Sequence, residues 1–153
     1  MFEPTILRIL FAGLISLIIG VAWYHPRTLG TLWIRYSGIT PEDAERGRGV
    51  LWIRYPGITP ESVERGKKRI YLTALIALLA SMLAAYALNM FGIAVGIFDM
   101  AGAVKLAALS WAGLVAPALL GSVLWEQRSI FYYLINALYW LVSLIAMSIV
   151  LVL

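Results

Sequence analysis

Few side chains in this sequence have the chemistry of an active site, and most of these lie outside its apolar stretches. Ionisable groups inside a membrane are the usual functional candidates, yet all eight acidic residues lie at the ends of the apolar stretches or between them. The sequence has no buried carboxylate pair for proton transfer, no glycine-rich phosphate loop and no helical histidine motif. We therefore predict no catalytic residue and no enzyme activity.

Metal and redox chemistry are limited by the sequence as well. His25 is the one histidine, and no cysteine, aspartate or glutamate stands beside it at the spacing of a metal ligand set. Because the chain contains no cysteine, disulfides, thiolate metal sites and cysteine nucleophiles are excluded. We predict neither a metal nor a cofactor. The weakest functional hypothesis is a membrane enzyme that uses His25 with carboxylates of the adjoining loop.

Five polar residues remain as site candidates within or beside the apolar stretches. Arg8 lies one turn into the first stretch, while Asp99 and Lys105 flank the start of the third. We predict that these three form a polar cluster at the outer face, either paired as structural groups or lining an outward-facing pocket. Asn89 and Asn136 lie within the second and fourth stretches, where an amide can bond across helices.

Four stretches are long enough to cross a bilayer, whose apolar core requires about 20 helical residues. They cover residues 5–24, 70–91, 101–125 and 130–153. With 62% hydrophobic and 13% charged residues, the chain is far more apolar than a soluble domain, which has about 45–50% and 25%. We predict a single all-α domain over residues 1–153, an integral membrane four-helix bundle.

The distribution of charge predicts the orientation of these helices. Nine of the twelve basic residues lie in 27–69, between the first and second stretches. The positive-inside rule places this long basic loop in the cytoplasm and both termini outside, in the plasma or inner membrane of the cell. A nucleic-acid-binding protein would spread its basic residues over a folded surface, so we expect no nucleic-acid partner.

The basic loop contains a duplicated unit in residues 32–68. "LWIRYSGITPEDAERGRG" and "LWIRYPGITPESVERGKK" agree at thirteen of eighteen positions with an offset of nineteen. Thr40 and Thr59 are suited to cap helices that begin at Pro41 and Pro60. Gly47 and Gly49 end the first helix, whereas the second is expected to run on through 67–69 into the second membrane helix.

We interpret the two copies as short amphipathic elements lying along the inner leaflet. Tryptophan and tyrosine prefer the headgroup level, and basic side chains reach lipid phosphates. The residues predicted to contact anionic headgroups are Trp33, Arg35, Tyr36, Trp52, Arg54, Tyr55, Arg65, Lys67, Lys68 and Arg69. A tolerated duplication without a function of its own is an equal alternative, because long insertions in surface loops cost little stability.

Small residues predict where the membrane helices approach one another closely. One set lies on each of the first three helices: Gly13, Ser16 and Gly20; Ala74, Ala77, Ser81 and Ala84 or Ala85; Gly113, Pro117 and Gly121. Packing within the bundle is the simpler interpretation, and a hinge or a dimer face is the alternative. Pro117 removes a backbone donor and is expected to distort the third helix.

Three segments carry a resemblance to a known family: "WYHPRTLGTLWIRYSGIT", "LVAPALLGSVLWE" and "INALYWLVSLIAMSIVL". The chain resembles a family of small four-helix prokaryotic membrane proteins that is catalogued as a domain of unknown function. The resemblance implies a four-span fold and a cell membrane, and it implies no activity. The chain departs from the family pattern in carrying the loop unit twice, so a function of that loop in a relative would not transfer.

Two functions are compatible with these features. The first is a non-catalytic accessory or scaffold subunit that acts through helix packing with other membrane subunits or with itself, and through contacts with the inner leaflet. The second is a small-solute permease or exporter in which a homo-oligomer forms the pathway. A water-filled cavity reaching Asn136, or Asp99 with Lys105, from the outer face would favour the permease.

Overall fold

The computed structural model describes residues 6–38, 60–97 and 99–153, the side chains of 60–70 excepted. The described residues are helical with short connections and contain no strand. The helices are α1 (Ile6–Trp23), α2 (Gly30–Ser37), α3 (Pro60–Val95), α4 (Met100–Ser110), α5 (Ala116–Leu124) and α6 (Ile130–Val152). A π-helical turn, Trp111–Val115, joins α4 to α5 without a break, so the three form one continuous third span.

Four described segments are long and apolar enough to cross a membrane: Ile6–Trp23, Tyr71–Val95, Met100–Leu124 and Ile130–Val152. Their bounds lie within a few residues of the predicted stretches because a run of apolar residues of this length directly reports a spanning helix. The predicted all-α fold with four such helices is confirmed. The protein is a multi-pass membrane protein.

The fourth span is the centre of the bundle. α1 packs on α3 and α6, α4 packs on α6 and less extensively on α3, and the short helix α2 lies against α6. We call the end of the bundle that carries residues 24–38 and 125–129 the loop end. The opposite end, near Ile6, residues 96–99 and Leu153, is the terminal end.

Small side chains allow α1 and α3 to approach closely. Ala12, Ser16 and Ala85 are fully buried, and a Cβ atom added at Gly13 would lie 2.7 Å from Cγ and 3.2 Å from the backbone nitrogen of Met82. Apolar lipid gives helices no hydrophobic reason to associate, so this close packing supplies the contact energy. The small-residue sets of these two helices therefore serve bundle packing.

The third span departs from regular helix where the sequence predicts a distortion. Asp99 caps its start, accepting a hydrogen bond from the Gly102 amide at 3.1 Å. Ahead of Pro117, the Ala116 amide donates to the Trp111 carbonyl in a π-helical bond, a common way to accommodate a disrupted helical ladder. Gly113 and Pro117 are exposed, and nothing lies within 4 Å of a Cβ placed at Gly113. Among the described residues, no helix packs against this set at Gly113.

The chain reverses sharply between α1 and α2. The Thr28 hydroxyl donates to the His25 carbonyl at 2.9 Å, and the Leu29 amide to the Trp23 carbonyl at 3.2 Å. A Cβ at Gly30 would collide with the Tyr24 carbonyl oxygen, so only glycine fits there. α2 then ends at Gly38, whose left-handed conformation, φ 67°, suits a glycine C-cap.

The duplicated unit is described only in part. Its first copy contributes α2, and the predicted helix starting at Pro41 lies outside the described residues. α3 begins at Pro60 and continues through 67–69 into the second span, which confirms the predicted continuation. Gly66 lies inside this helix. A single glycine costs about 1 kcal/mol of helix stability, which the long apolar span that follows can offset.

The close approach at Gly13 yields a stability prediction. Gly13→Ala should lower the free energy of unfolding by about 1–3 kcal/mol, because the new methyl group meets the Met82 backbone. Gly92→Ala is the matched control, since its Cβ would make an ordinary 3.6 Å contact with Leu106, and it should raise stability by about 0.5–1 kcal/mol. Unfolding in mixed micelles by SDS titration measures both, and equal effects at the two positions would contradict this packing.

Candidate functional site

The most extensive polar site of the described residues surrounds Asn136 of α6, near the loop end. Its Oδ1 atom accepts hydrogen bonds from the Tyr24 hydroxyl at 2.8 Å and from the Trp33 indole N–H at 3.2 Å. Its Nδ2 atom donates to the Tyr132 carbonyl at 2.7 Å. Because an indole N–H can only donate, the amide orientation follows from the geometry. We call Tyr24, Trp33, Tyr132 and Asn136 the Asn136 cluster.

Aromatic rings surround these hydrogen bonds. The Trp33 ring lies 5.8 Å from both the Tyr24 and the Tyr132 rings, and Tyr24 lies 5.3 Å from Tyr139. Such tilted and edge-to-face pairs are favourable beyond their buried area. The cluster thus joins the end of α1 and the short helix α2 to the fourth span.

Two further contacts strengthen this junction. The Trp23 indole donates to the Ile135 carbonyl at 3.1 Å, and Tyr36 of α2 stacks on Phe131 with ring centroids 5.0 Å apart. The hydrogen bond and the ring contacts that hold α2 on α6 thus come from its aromatic side chains, Trp33 and Tyr36.

Burial also sets the protonation of Tyr24, which lies one residue beyond the end of the first span. Desolvation, with smaller contributions from the neighbouring Tyr139 and Tyr132 hydroxyls, raises the pKa of Tyr24 well above its usual range. The hydroxyl consequently remains protonated and a donor to Asn136 at any physiological pH.

A basic side chain holds the other end of α2. Nη1 of Arg128 donates to the carbonyl of Ser37, the last residue of α2, where a positive charge complements the helix dipole. Its Nε atom lies 3.7 Å from Oε2 of Glu126, and both side chains are largely exposed. An exposed pair at this distance contributes little stability, so the carboxylate of Glu126 is only loosely held.

A cavity of about 450 Å³ lies between α5 and α6 at the loop end. We call it the loop-end cavity. Its lining residues are Ala118, Leu119, Gly121, Ser122, Trp125, Glu126, Tyr132, Tyr133, Asn136 and Trp140. It is large enough for a small ligand or a lipid headgroup, and it ends against the Asn136 cluster.

The predicted outer-face residues lie apart from this site. Asp99 is exposed and caps α4, Lys105 is exposed on α4, and Arg8 is half-buried on α1, which packs on α3 and α6. No ion pair joins these three among the described side chains. The described pocket at the terminal end is lined by other residues, so neither form of the predicted cluster is seen in the geometry.

Asn89 lies in that terminal-end pocket. Its side chain is 8% exposed, and its Nδ2 atom has no hydrogen-bond partner in the part of the chain that the structure describes. The pocket also contains Ser148 and leaves about 30 Å³ for the centre of a water molecule, which is room for one water. The two predicted intramembrane asparagines thus differ: Asn136 bonds across helices, and no such bond is seen for Asn89 among the described residues.

The comparison with protein families supports the resemblance seen in the sequence. A family described as "Protein of unknown function (DUF1761)" matches residues 7–152. The chain belongs to this family. The DUF1761 match includes all four spans together with the Asn136 cluster and the loop-end cavity. No curated protein and no solved structure matches the chain.

Within this DUF1761 chain, part of the predicted lipid-contacting set falls on the described residues. Trp33 and Tyr36 are half-buried against α6, and Arg35 is exposed. Trp52, Arg54 and Tyr55 lie outside the described residues, as do the side chains of Arg65, Lys67, Lys68 and Arg69. The lipid contacts of this set remain a prediction.

Sequence reasoning missed three residues of the site as candidates: Tyr24, Glu126 and Arg128. Two of them bond to groups that are distant in the sequence: 112 positions separate Tyr24 from Asn136, and 91 positions separate Arg128 from Ser37. The available signal was an amide in an otherwise apolar helix, because such a group must find partners in other segments. The sequence identified the amide without identifying its donors.

The two asparagines yield a matched prediction. Asn136→Leu should lower the free energy of unfolding by about 1–3 kcal/mol, because it leaves the Tyr24 and Trp33 donors without an acceptor. Asn89→Leu should be neutral or stabilising, since it removes an unpaired buried amide. SDS titration in mixed micelles measures both. Equal losses of stability would show that the Asn136 hydrogen bonds have no special weight.

Proposed function

We propose that the protein is a non-catalytic accessory or scaffold subunit of a membrane assembly. In this proposal it resides in the plasma or inner membrane with both termini outside and the basic loop in the cytoplasm. Its partners are the membrane helices of other subunits and the anionic headgroups of the inner leaflet.

The observation that carries the proposal is the closed centre of the bundle. Ala107, Ser143 and Met147 are fully buried between the loop-end cavity and the terminal-end pocket, and Leu144 is 5% exposed beside them. Close-packed side chains leave no route for a solute along this part of the bundle. The four spans also contain no acidic residue, which removes the usual carriers of proton coupling.

The third span offers the surface for a partner. Only 11% of its apolar stretch is buried within the chain, compared with 39% for the fourth span. Gly113 and Pro117 are exposed on it, and the space next to Gly113 is open. Small residues at such a position let a second helix approach closely, so we propose that a membrane helix of another subunit packs there.

Contacts with lipid headgroups are supported by the basic residues near α2 and α3. Arg35 is exposed on α2, and the backbone of 65–69 lies in the first turns of α3, directly before the second span. Each basic residue near an anionic leaflet contributes about 1 kcal/mol of attraction.

A permease or exporter that works as a homo-oligomer is the second candidate. It is favoured by the loop-end cavity, which reaches Asn136. In the proposed orientation this cavity opens on the cytoplasmic side, whereas a route from the outer face would have to form between two copies of the chain.

The partner surface can be tested by a substitution that leaves the fold unchanged. Gly113→Leu should reduce the recovery of co-purifying subunits at least about fivefold, because a larger side chain prevents close helix approach. Ala80→Leu, at an exposed position on α3, is the control and should not change recovery. Purification from native membranes in mild detergent, followed by native mass spectrometry, gives the measurement.

Recovery of the wild-type chain as a lone monomer would contradict the scaffold proposal. A clean homodimer that persists without other subunits would instead favour the permease.

A further inference from the structure

The loop-end cavity differs in charge from the rest of the chain. Among the described residues that line it, Glu126 is the one acidic or basic side chain, although the chain as a whole has a formal charge of +4. The remaining polar side-chain groups among these described lining residues are hydroxyls, indole N–H groups and an amide, all of them uncharged. A ligand in this cavity therefore meets a local negative charge, which favours cations over anions.

The carboxylate of Glu126 is available to such a ligand. Its side chain is 64% exposed, and its contact with Arg128 is a long one of 3.7 Å. The guanidinium of Arg128 is directed to the Ser37 carbonyl and does not belong to the cavity lining. Among the described residues, the basic group beside Glu126 is therefore hydrogen-bonded to the end of α2 and leaves the cavity side of the carboxylate open to a second cation.

Aromatic side chains form much of the cavity wall: Trp125, Tyr132, Tyr133 and Trp140. The face of an aromatic ring carries partial negative charge and attracts ammonium groups. Aromatic rings beside a carboxylate are therefore suited to bind an organic ammonium, for which a plain hydrophobic pocket would be unsuitable.

The position of the cavity indicates where such a ligand comes from. Trp125 follows the end of the third span, and Ile130 begins the fourth, so the cavity lies at the depth of the lipid headgroups. A belt of interfacial aromatics needs no recess, whereas here the rings border a half-open recess of about 450 Å³ that extends to Asn136.

We propose that the loop-end cavity binds an organic ammonium group, with Glu126 as the counter-ion and the aromatic side chains as its wall. The group is supplied by the amine headgroup of a phospholipid or by a free small amine. This binding site is independent of the scaffold role proposed above and would be present whether or not another subunit packs on the third span.

The test compares lipids that differ in headgroup, using the full chain in mild detergent. Native mass spectrometry with equal amounts of phosphatidylethanolamine and an uncharged glycosyl diacylglycerol, which has neither an amine nor a charge that the basic loop attracts, should show the amine lipid retained in preference, by roughly tenfold, a ratio that a close charge pair readily supplies. Glu126→Gln keeps the size and polarity of the side chain but removes its charge, so the preference should fall to near unity.

Two further variants make the result specific. Asp99→Asn removes an acidic charge at the terminal end while keeping a side chain that caps a helix, and it should retain the wild-type preference. Tyr133→Leu removes a ring from the cavity wall and should weaken retention of the amine lipid several-fold. Helical content and thermal unfolding of each variant establish that the fold is unchanged, as expected for the exposed Glu126.

Competition with ethanolamine and tetramethylammonium chloride separates the two sources of the ammonium group. Displacement of the amine lipid by either soluble cation at millimolar concentration indicates a site for free amines. Resistance to both cations indicates a site for a lipid headgroup. Both results support ammonium binding. Equal retention of the two lipids by the wild-type chain, or an unchanged preference in Glu126→Gln, would overturn the proposal.

Discussion

One oxygen atom, Oδ1 of Asn136, accepts hydrogen bonds from donors on two other segments of the chain, Tyr24 beyond α1 and Trp33 on α2. Asn136 lies six residues into α6 from its start at Ile130, or about 9 Å along the helix axis. Removing this acceptor would leave both donors without their partner, so these donors and their acceptor require one another. The loop end of the protein is arranged around this requirement.

Different interactions hold the middle of the bundle and its loop end together. Toward the middle, α1 and α3 pack through small residues such as Gly13 and Ser16, where close contact provides the stabilisation. At the loop end, large rings with polar groups fill the space, and α2 depends on them. An eight-residue helix is too short to be stable alone, since isolated helices below about 12–15 residues are marginal in water. The aromatic contacts and the hydrogen bond from Arg128 to Ser37 supply the stability that α2 would lack on its own.

Much of the fold was predictable because hydropathy reports membrane spans locally. The four spans, the start of α3 at Pro60 and the disturbance before Pro117 all follow from residues within a few positions of each feature. The position of α2 was not predictable. The sequence places Trp33 and Tyr36 on one helical face, which suits both a lipid interface and a protein interface, and the choice depends on α6 a hundred residues away.

The candidate site was predictable to the same limited extent. An amide in an apolar helix must find partners, so Asn136 was identifiable, but Asn89 has the same signal and no partner among the described residues. The charged residues are a different case, since Arg8, Asp99 and Lys105 share one end of the bundle and no ion pair joins them among the described side chains. Similar depth in a membrane does not determine which helices are neighbours, and α1 packs on α3 and α6.

The central claim, that Asn136 holds α2 on the bundle, is tested most directly by amide hydrogen exchange of the full chain in detergent. In the wild-type chain the amides of residues 33–37 should be protected although the helix is short. In Asn136→Leu the exchange of these amides should accelerate at least about tenfold, as expected when more than about 1.4 kcal/mol of local stability is lost. The amides of residues 143–150 of α6 are the internal control and should keep their protection. Unchanged protection of α2 in the variant would contradict the account.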